Sequence, residues 1–194
     1  MWWLLIVPSY FLGTFPSAVM VARSRGIDIT KVGSGNPGAS NVSRVMGRKW
    51  GITVFALDAL KGIIPALVGT FVAGDDKVAY AMIAASVLGH MFPVTRRFKG
   101  GKGVATMAGA MFVMQPAISA ILGVVWIAVL KLTKKSSVAS IALIIGLPVL
   151  ALLFHVPRWE IATMIAINAL LLLRHGSNIK RLLRGTELST SRPD

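Results

Sequence analysis

The chain has 194 residues, 55% of them hydrophobic, with a mean hydropathy of +0.71 and a formal charge of +14. A soluble core of this size does not need so much apolar surface, so lipid is the expected solvent; the Lys and Arg residues sit in short clusters between apolar stretches, which argues against a nucleic-acid partner. Cysteine is absent, excluding disulfides, thiolate metal sites and a Cys nucleophile.

From the N-terminus, Leu4 to Ala22 is apolar, no positive charge precedes it, and Arg23 and Arg25 follow directly. That is the pattern of a membrane span rather than a cleaved leader, so the first transmembrane helix is expected over 2–22. Further apolar stretches follow at 51–73, 78–95, 104–130, 138–155 and 159–174, lengths suited to crossing ~30 Å of hydrocarbon. Between them lie four basic clusters: Arg23 to Lys49, Arg96 to Lys102, Lys131 to Lys135, and Arg174 to Arg184. The positive-inside rule places all four in the cytoplasm, whereas the connections at Asp75 to Lys77 and His155 to Glu160 belong outside. A single span over 104–130 would break this parity, and two crossings divided at Gln115-Pro116 restore it, since proline interrupts a helical ladder. The expected fold is an all-α integral membrane protein with seven transmembrane helices, N-terminus outside and C-terminus cytoplasmic. It forms a single polytopic domain over 1–194, with a short amphipathic interfacial helix at Ser177 to Arg184 and a flexible tail over 184–194.

The first basic loop carries Gly33-Ser34-Gly35-Asn36-Pro37-Gly38-Ala39-Ser40-Asn41, then Arg44. It contains GxGxxG, but no strand precedes it, so a dinucleotide fold is disfavoured. Such glycines, with small hydroxyl and amide side chains, can instead form an anion nest, especially where a short helix begins near Ala39; a plain tight turn is the alternative. The second motif is Gly89-His90-Met91-Phe92-Pro93 followed by Phe98-Lys99-Gly100-Gly101-Lys102-Gly103-Val104-Ala105-Thr106. Gly103 stands where a Walker A loop needs Ser or Thr, which disfavours ATP; a helix leaving from Gly103 would still aim its positive end and Lys102 at an anion. The competing reading is a basic loop holding lipid headgroups. Asp58 and Lys61 share a face of the second span and read first as a supporting ion pair. Ser136, Ser137 and Ser140 open the sixth span as caps or ligand contacts. His175 and Asn178 stand a helical turn apart where the last span ends.

All these polar motifs fall on the cytoplasmic side, which suggests a phosphate-bearing substrate. Two phosphates near charge −2, ~6 Å apart at an effective dielectric of ~20, repel by roughly 11 kcal/mol, so a site holding both must supply several cations. Arg44, Lys61 and Lys102 are the candidates. A transporter of phosphorylated metabolites would use similar features, but should show sites reachable from both faces.

Taken in order, GSGNPGASN at 33–41, DALKG at 58–62, GHMFPVTRRFKGGKGVAT at 89–106 and RHGSNIKRLL at 174–183 resemble the signatures of the bacterial membrane glycerol-3-phosphate acyltransferases that use acyl phosphate. Ser40 replaces an expected threonine and keeps the hydroxyl; Thr95 replaces a commoner aromatic. The resemblance implies transfer of a fatty acyl group from acyl phosphate to the 1-hydroxyl of glycerol 3-phosphate, giving lysophosphatidate and phosphate, without metal or cofactor. This would be the first acylation of phospholipid synthesis, in a multi-pass inner-membrane protein whose active site faces the cytoplasm. Besides its substrates and membrane lipids, the implied partner is the peripheral enzyme that makes acyl phosphate. By the same resemblance the Gly33 to Asn41 loop would cradle the acyl-phosphate group, and Arg44, Lys102, Ser140, His175 and Asn178 would hold glycerol 3-phosphate or the leaving phosphate; Lys102, Ser140, His175 and Asn178 are the expected catalytic residues. Ser34, Gly35, Asn36, Gly38, Ser40, Asn41, Arg44, Lys61, Gly100, Gly101, Gly103, Thr106 and Ser137 are expected to bind substrate, and Asp58 and His90 to support the site.

Overall fold

In lipid every backbone N–H and C=O must find a partner within the protein, so apolar segments become helices. The computed structural model describes residues 1–190, and among them there is no strand. After a 3₁₀ turn at Trp2–Leu5 come α1 (Ile6–Gly13), α2 (Ser17–Arg23), α3 (Ala39–Met46), α4 (Arg48–Leu67, continued by a π-helical turn at Val68–Val72) and α5 (Asp76–Met91). There follow α6 (Val104–Met114), α7 (Pro116–Thr133), α8 (Ser136–Leu153), α9 (Arg158–Arg174) and α10 (Gly176–Leu183). Among the described residues, five helical stretches are long and apolar enough to cross a membrane: Trp2–Arg23, Arg48–Val72, Asp76–Arg96, Pro116–Thr133 and Ser136–Leu153. The other two expected spans are shorter, 11 residues in α6 and 17 in α9. At 1.5 Å per residue α6 reaches only about 16 Å, roughly half the hydrocarbon thickness.

The contacts gather into two compact units, Met1–Met114 and Gln115 onward. In the first, α4 packs on α6 and α1 on α5. A Cβ on Gly62 would overlap the Thr106 carbonyl, so α4 and α6 approach backbone to backbone. A core of Ala18, Val19, Ala22, Ile29, Val42 and Val54 clamps the first loop and α3 onto α2 and α4. In the second unit α8 packs against both α7 and α9, and Gln115 Nε2 donates to Glu160 Oε2 at 3.0 Å.

Prolines shape both units. The expected break falls at Gln115: α6 stops at Met114 and α7 restarts at Pro116. The first span, expected as one helix over 2–22, is also broken, between Gly13 and Ser17, because Pro16 has no N–H to continue the ladder. Pro65 and Pro148 instead lie inside α4 and α8. Each frees the carbonyl four residues earlier, and a neighbouring helix fills the vacancy. Ser86 Oγ donates to the Lys61 carbonyl at 2.7 Å, and Asn168 Nδ2 donates to the Ile144 carbonyl at 2.8 Å.

The chain after α10, expected to be a flexible tail from 184, is tied down as far as it is described. Ser189 Oγ, Thr190 Oγ1 and Thr190 N all donate to the Lys134 carbonyl, at 3.4, 3.0 and 2.8 Å. The remainder of that tail, 191–194, lies outside the described residues.

Candidate active site

The glycine-rich loop is organised by one side chain. Asn41 is 1% exposed; its Nδ2 donates to the carbonyls of Ile29 and Val32 at 3.1 and 3.0 Å, and its Oδ1 accepts from Ser34 N and Arg44 Nη1 at 2.8 and 3.3 Å. Both edges of the amide are thereby engaged, so Asn41 builds the loop and orients Arg44. Several N–H groups that a nest would offer turn inward: Ser34 N to Asn41, Gly35 N to the Val32 carbonyl, Gly38 N to the Asn36 carbonyl. The anion-attracting feature that remains is the start of α3, at Ala39 as expected. Its first-turn N–H groups, at Ala39 and Ser40, have no intrahelical acceptor. Ser34, Gly35, Asn36, Gly38, Ser40 and Arg44 are half-buried around it.

Deeper in the same unit, the break before Pro16 exposes the Phe15 carbonyl, which accepts from Lys61 Nζ at 2.6 Å. The same ammonium lies 2.6 Å from Asp58 Oδ1, and the two side chains are only 4% and 3% exposed. His90 Nδ1 stands 3.7 Å from the same carboxylate oxygen. Lys61, expected among the substrate ligands, thus commits its charge to a buried pair and a backbone carbonyl, and Asp58 and His90, expected as supporting groups, lie beside it in the same buried cluster. Gly100 and Gly101 press onto His90: Gly101 N donates to the His90 carbonyl at 3.0 Å, and a Cβ on Gly101 would overlap the imidazole. Lys102 follows, half-buried, and Gly103 turns the chain with φ +82° into α6. Thr106, expected to touch substrate, is fully buried where α4 meets α6, and its hydroxyl has no hydrogen-bond partner among the described residues.

In the second unit His175, 2% exposed, ends α9 with Nδ1 2.8 Å from the Leu171 carbonyl. A carbonyl can only accept, so Nδ1 carries a proton. Ser140 is buried one turn into α8. Ser137 does not cap that helix: its hydroxyl donates to Glu187 Oε1 at 2.8 Å. Asn178 Nδ2 donates to the same oxygen at 2.7 Å, and Arg181 Nε meets Oε2 at 2.8 Å. Burial alone would raise the Glu187 carboxyl, but the bonds from Asn178, Ser137 and Arg181, with the Arg181 charge, outweigh it and hold the group below its ordinary value. Glu187 is absent from the residues nominated by sequence. Its only local signal is the glycine two positions earlier, which marks where α10 ends and the chain turns back.

The chain matches the family model described as glycerol-3-phosphate acyltransferase over residues 3–185. Relatives carrying that description include those of Aquifex aeolicus, 41% identical over 94% of this chain and 96% of the relative, and Thermus thermophilus, 39% identical over 95% and 92%. Among solved structures it is similar to the crystal structure of PlsY (YgiH), an integral membrane glycerol 3-phosphate acyltransferase, in its glycerol 3-phosphate form. The TM-score is 0.92 and the identity 41%, covering 96% of this chain and 94% of that one. The lysophosphatidic acid form of PlsY matches at TM-score 0.89 and 40% identity, over 96% and 93%.

Proposed function

The chain belongs to the glycerol-3-phosphate acyltransferase family, and from that premise we propose that it transfers an acyl group from acyl phosphate to the 1-hydroxyl of sn-glycerol 3-phosphate. The products are lysophosphatidic acid and phosphate, and the reaction takes place at the cytoplasmic face of a bacterial inner membrane. In this reading α6 and α9 complete seven crossings, with the N-terminus outside and the four basic clusters inside.

The observation that carries the reading is the start of α3, where unsatisfied N–H groups and an Arg44 oriented by Asn41 offer a place for a phosphoryl group. This loop takes the phosphate of the donor, while Lys102, Ser140, His175 and Asn178 act on glycerol 3-phosphate and the departing phosphate. An acyl phosphate is a mixed anhydride and already activated, so positioning and charge stabilisation suffice without a covalent nucleophile. The hydroxyl oxygen of glycerol 3-phosphate attacks the acyl carbon, the carbon–oxygen bond to phosphate breaks, and the proton of the hydroxyl passes to the leaving phosphate. The acyl chain remains in lipid throughout; keeping about ten methylenes out of water is worth on the order of 8 kcal/mol, so the donor is held at the membrane.

Purified protein supplied with glycerol 3-phosphate and either palmitoyl phosphate, palmitoyl-CoA or an acyl carrier protein thioester tests the donor. Product from palmitoyl phosphate alone is expected, and product only from the thioesters would overturn the assignment.

A further inference from the structure

The carboxylate of Glu187 is a buried anion among groups expected to handle anions, and nothing in the reaction above uses it. Its side chain is 3% exposed, and its two oxygens collect three donors: Ser137 Oγ and Asn178 Nδ2 on Oε1, Arg181 Nε on Oε2. The chain is built to deliver it there. At the end of α10, Gly185 takes φ +70°, its N–H donates to the Leu182 carbonyl at 3.1 Å and the Thr186 N–H to the Arg181 carbonyl at 2.9 Å. That double bond pattern around a left-handed glycine is the Schellman turn, which reverses the chain and carries Glu187 back over the helix. Beyond it, Ser189 and Thr190 fasten to the Lys134 carbonyl, just ahead of α8, so the segment is held on both sides of Glu187.

The consequence falls on Asn178. An amide has a donor edge and an acceptor edge, and a carboxylate accepts only the donor edge. With Nδ2 committed to Glu187, Oδ1 must point elsewhere, and the orientation of the amide is decided before substrate arrives. The Ser137 hydroxyl is likewise committed to donating toward the same oxygen. We propose that Glu187 is a positioning residue for the acyl-acceptor site, acting through Asn178 and Ser137. This rests on the reading that assigns Asn178 to glycerol 3-phosphate. A glutamine at 187 cannot reproduce the arrangement. Turning its oxygen to Ser137 and Asn178 sets its NH₂ against the Arg181 donor; turning it to Arg181 deprives the other two of their acceptor.

The test compares wild type, Glu187→Gln, Glu187→Ala, Glu187→Asp and Asn178→Ala, all purified, with glycerol 3-phosphate and palmitoyl phosphate varied separately. For Glu187→Gln and Glu187→Ala the expected result is a KM for glycerol 3-phosphate raised about tenfold or more, with the KM for palmitoyl phosphate changed less than about twofold. Glu187→Asp, which keeps the charge, is expected to recover to within about threefold of wild type. Should Glu187→Ala fail to fold, the nearly isosteric Glu187→Gln carries the same kinetic test. Lowered thermal stability in these variants with both KM values unchanged would mean that Glu187 only fastens the chain, and would overturn the proposal. If Asn178→Ala also left the kinetics unchanged, the assignment of the acceptor site would be the part that failed; a damaging Asn178→Ala beside a silent Glu187→Gln would sink the positioning role alone.

Discussion

Replacing Lys61 with methionine separates two roles that its sequence position allows, substrate ligand and structural cation. In the structure its ammonium is 2.6 Å from both Asp58 Oδ1 and the Phe15 carbonyl and is almost wholly enclosed. Removing one member of a buried ion pair strands the other charge, at a cost of about 3–5 kcal/mol. An unpartnered Phe15 carbonyl adds about 1–3 kcal/mol. For a chain of this length each kcal/mol moves the melting temperature by about 2–4 °C, so Lys61→Met should lower Tm by roughly 10 °C or more, measured by thermal unfolding in detergent micelles. The double variant Asp58→Asn/Lys61→Met leaves no bare charge and should recover most of the loss, while KM for glycerol 3-phosphate in the folded fraction stays within about threefold of wild type. A Lys61→Met protein with wild-type Tm but a KM raised more than about tenfold would show the ammonium to be a ligand, and the structural argument would be wrong.

Ser86→Ala should cost about 1–2 kcal/mol because it strands the Lys61 carbonyl that Pro65 freed, yet be nearly neutral in a Pro65→Ala background, where a backbone N–H returns; unfolding of the four proteins of this cycle measures the coupling. Asn41→Ala removes four hydrogen bonds from the glycine loop and the partner that orients Arg44, so acyl-phosphate turnover should fall at least about a hundredfold, read as kcat/KM against that donor. If the leaving phosphate takes the proton, substituting His90, His175 and Asp58 singly should produce no kcat loss of several thousandfold at unchanged binding; such a loss at any of them would identify a protein base. Glu187 has a carboxyl held below its ordinary value of 4.5, so its contribution to fastening residues 185–190 is fully present above that value and disappears as pH falls through the lower, folded one. Limited proteolysis of that segment should accelerate only in that acid range, and equal acceleration in Glu187→Gln at neutral pH would be its counterpart.

The break at Gln115 was legible because charge parity demanded one and Pro116 stood ready. The break at Pro16 was not, although the signal is the same residue. Pro65 and Pro148 show why: a proline within a span ends the helix or leaves it running according to whether another helix fills the vacated carbonyl, and Ser86 and Asn168 are 21 and 20 residues further along the chain. The site divides in the same way. Glycine spacing and the start of α3 could be read locally, whereas the commitment of Lys61 to the Phe15 carbonyl depends on a turn 46 residues earlier. Glu187 escaped notice because its partners include Ser137, 50 residues away, and because a polar stretch after an amphipathic helix ordinarily dissolves in water.

The carbonyls released by Pro65 and Pro148 bear on how such a chain finds its pairing inside a bilayer. Hydrocarbon rewards one greasy helix surface as well as another, so apolar contact alone discriminates poorly between alternative neighbours or between registers shifted by a turn. A lone acceptor at a fixed depth changes that. Only a helix bringing a hydroxyl or amide to the same level can quench it, and every misaligned dock leaves it bare. The two prolines therefore act as keyed sockets, one entered by Ser86 of α5 and the other by Asn168 of α9.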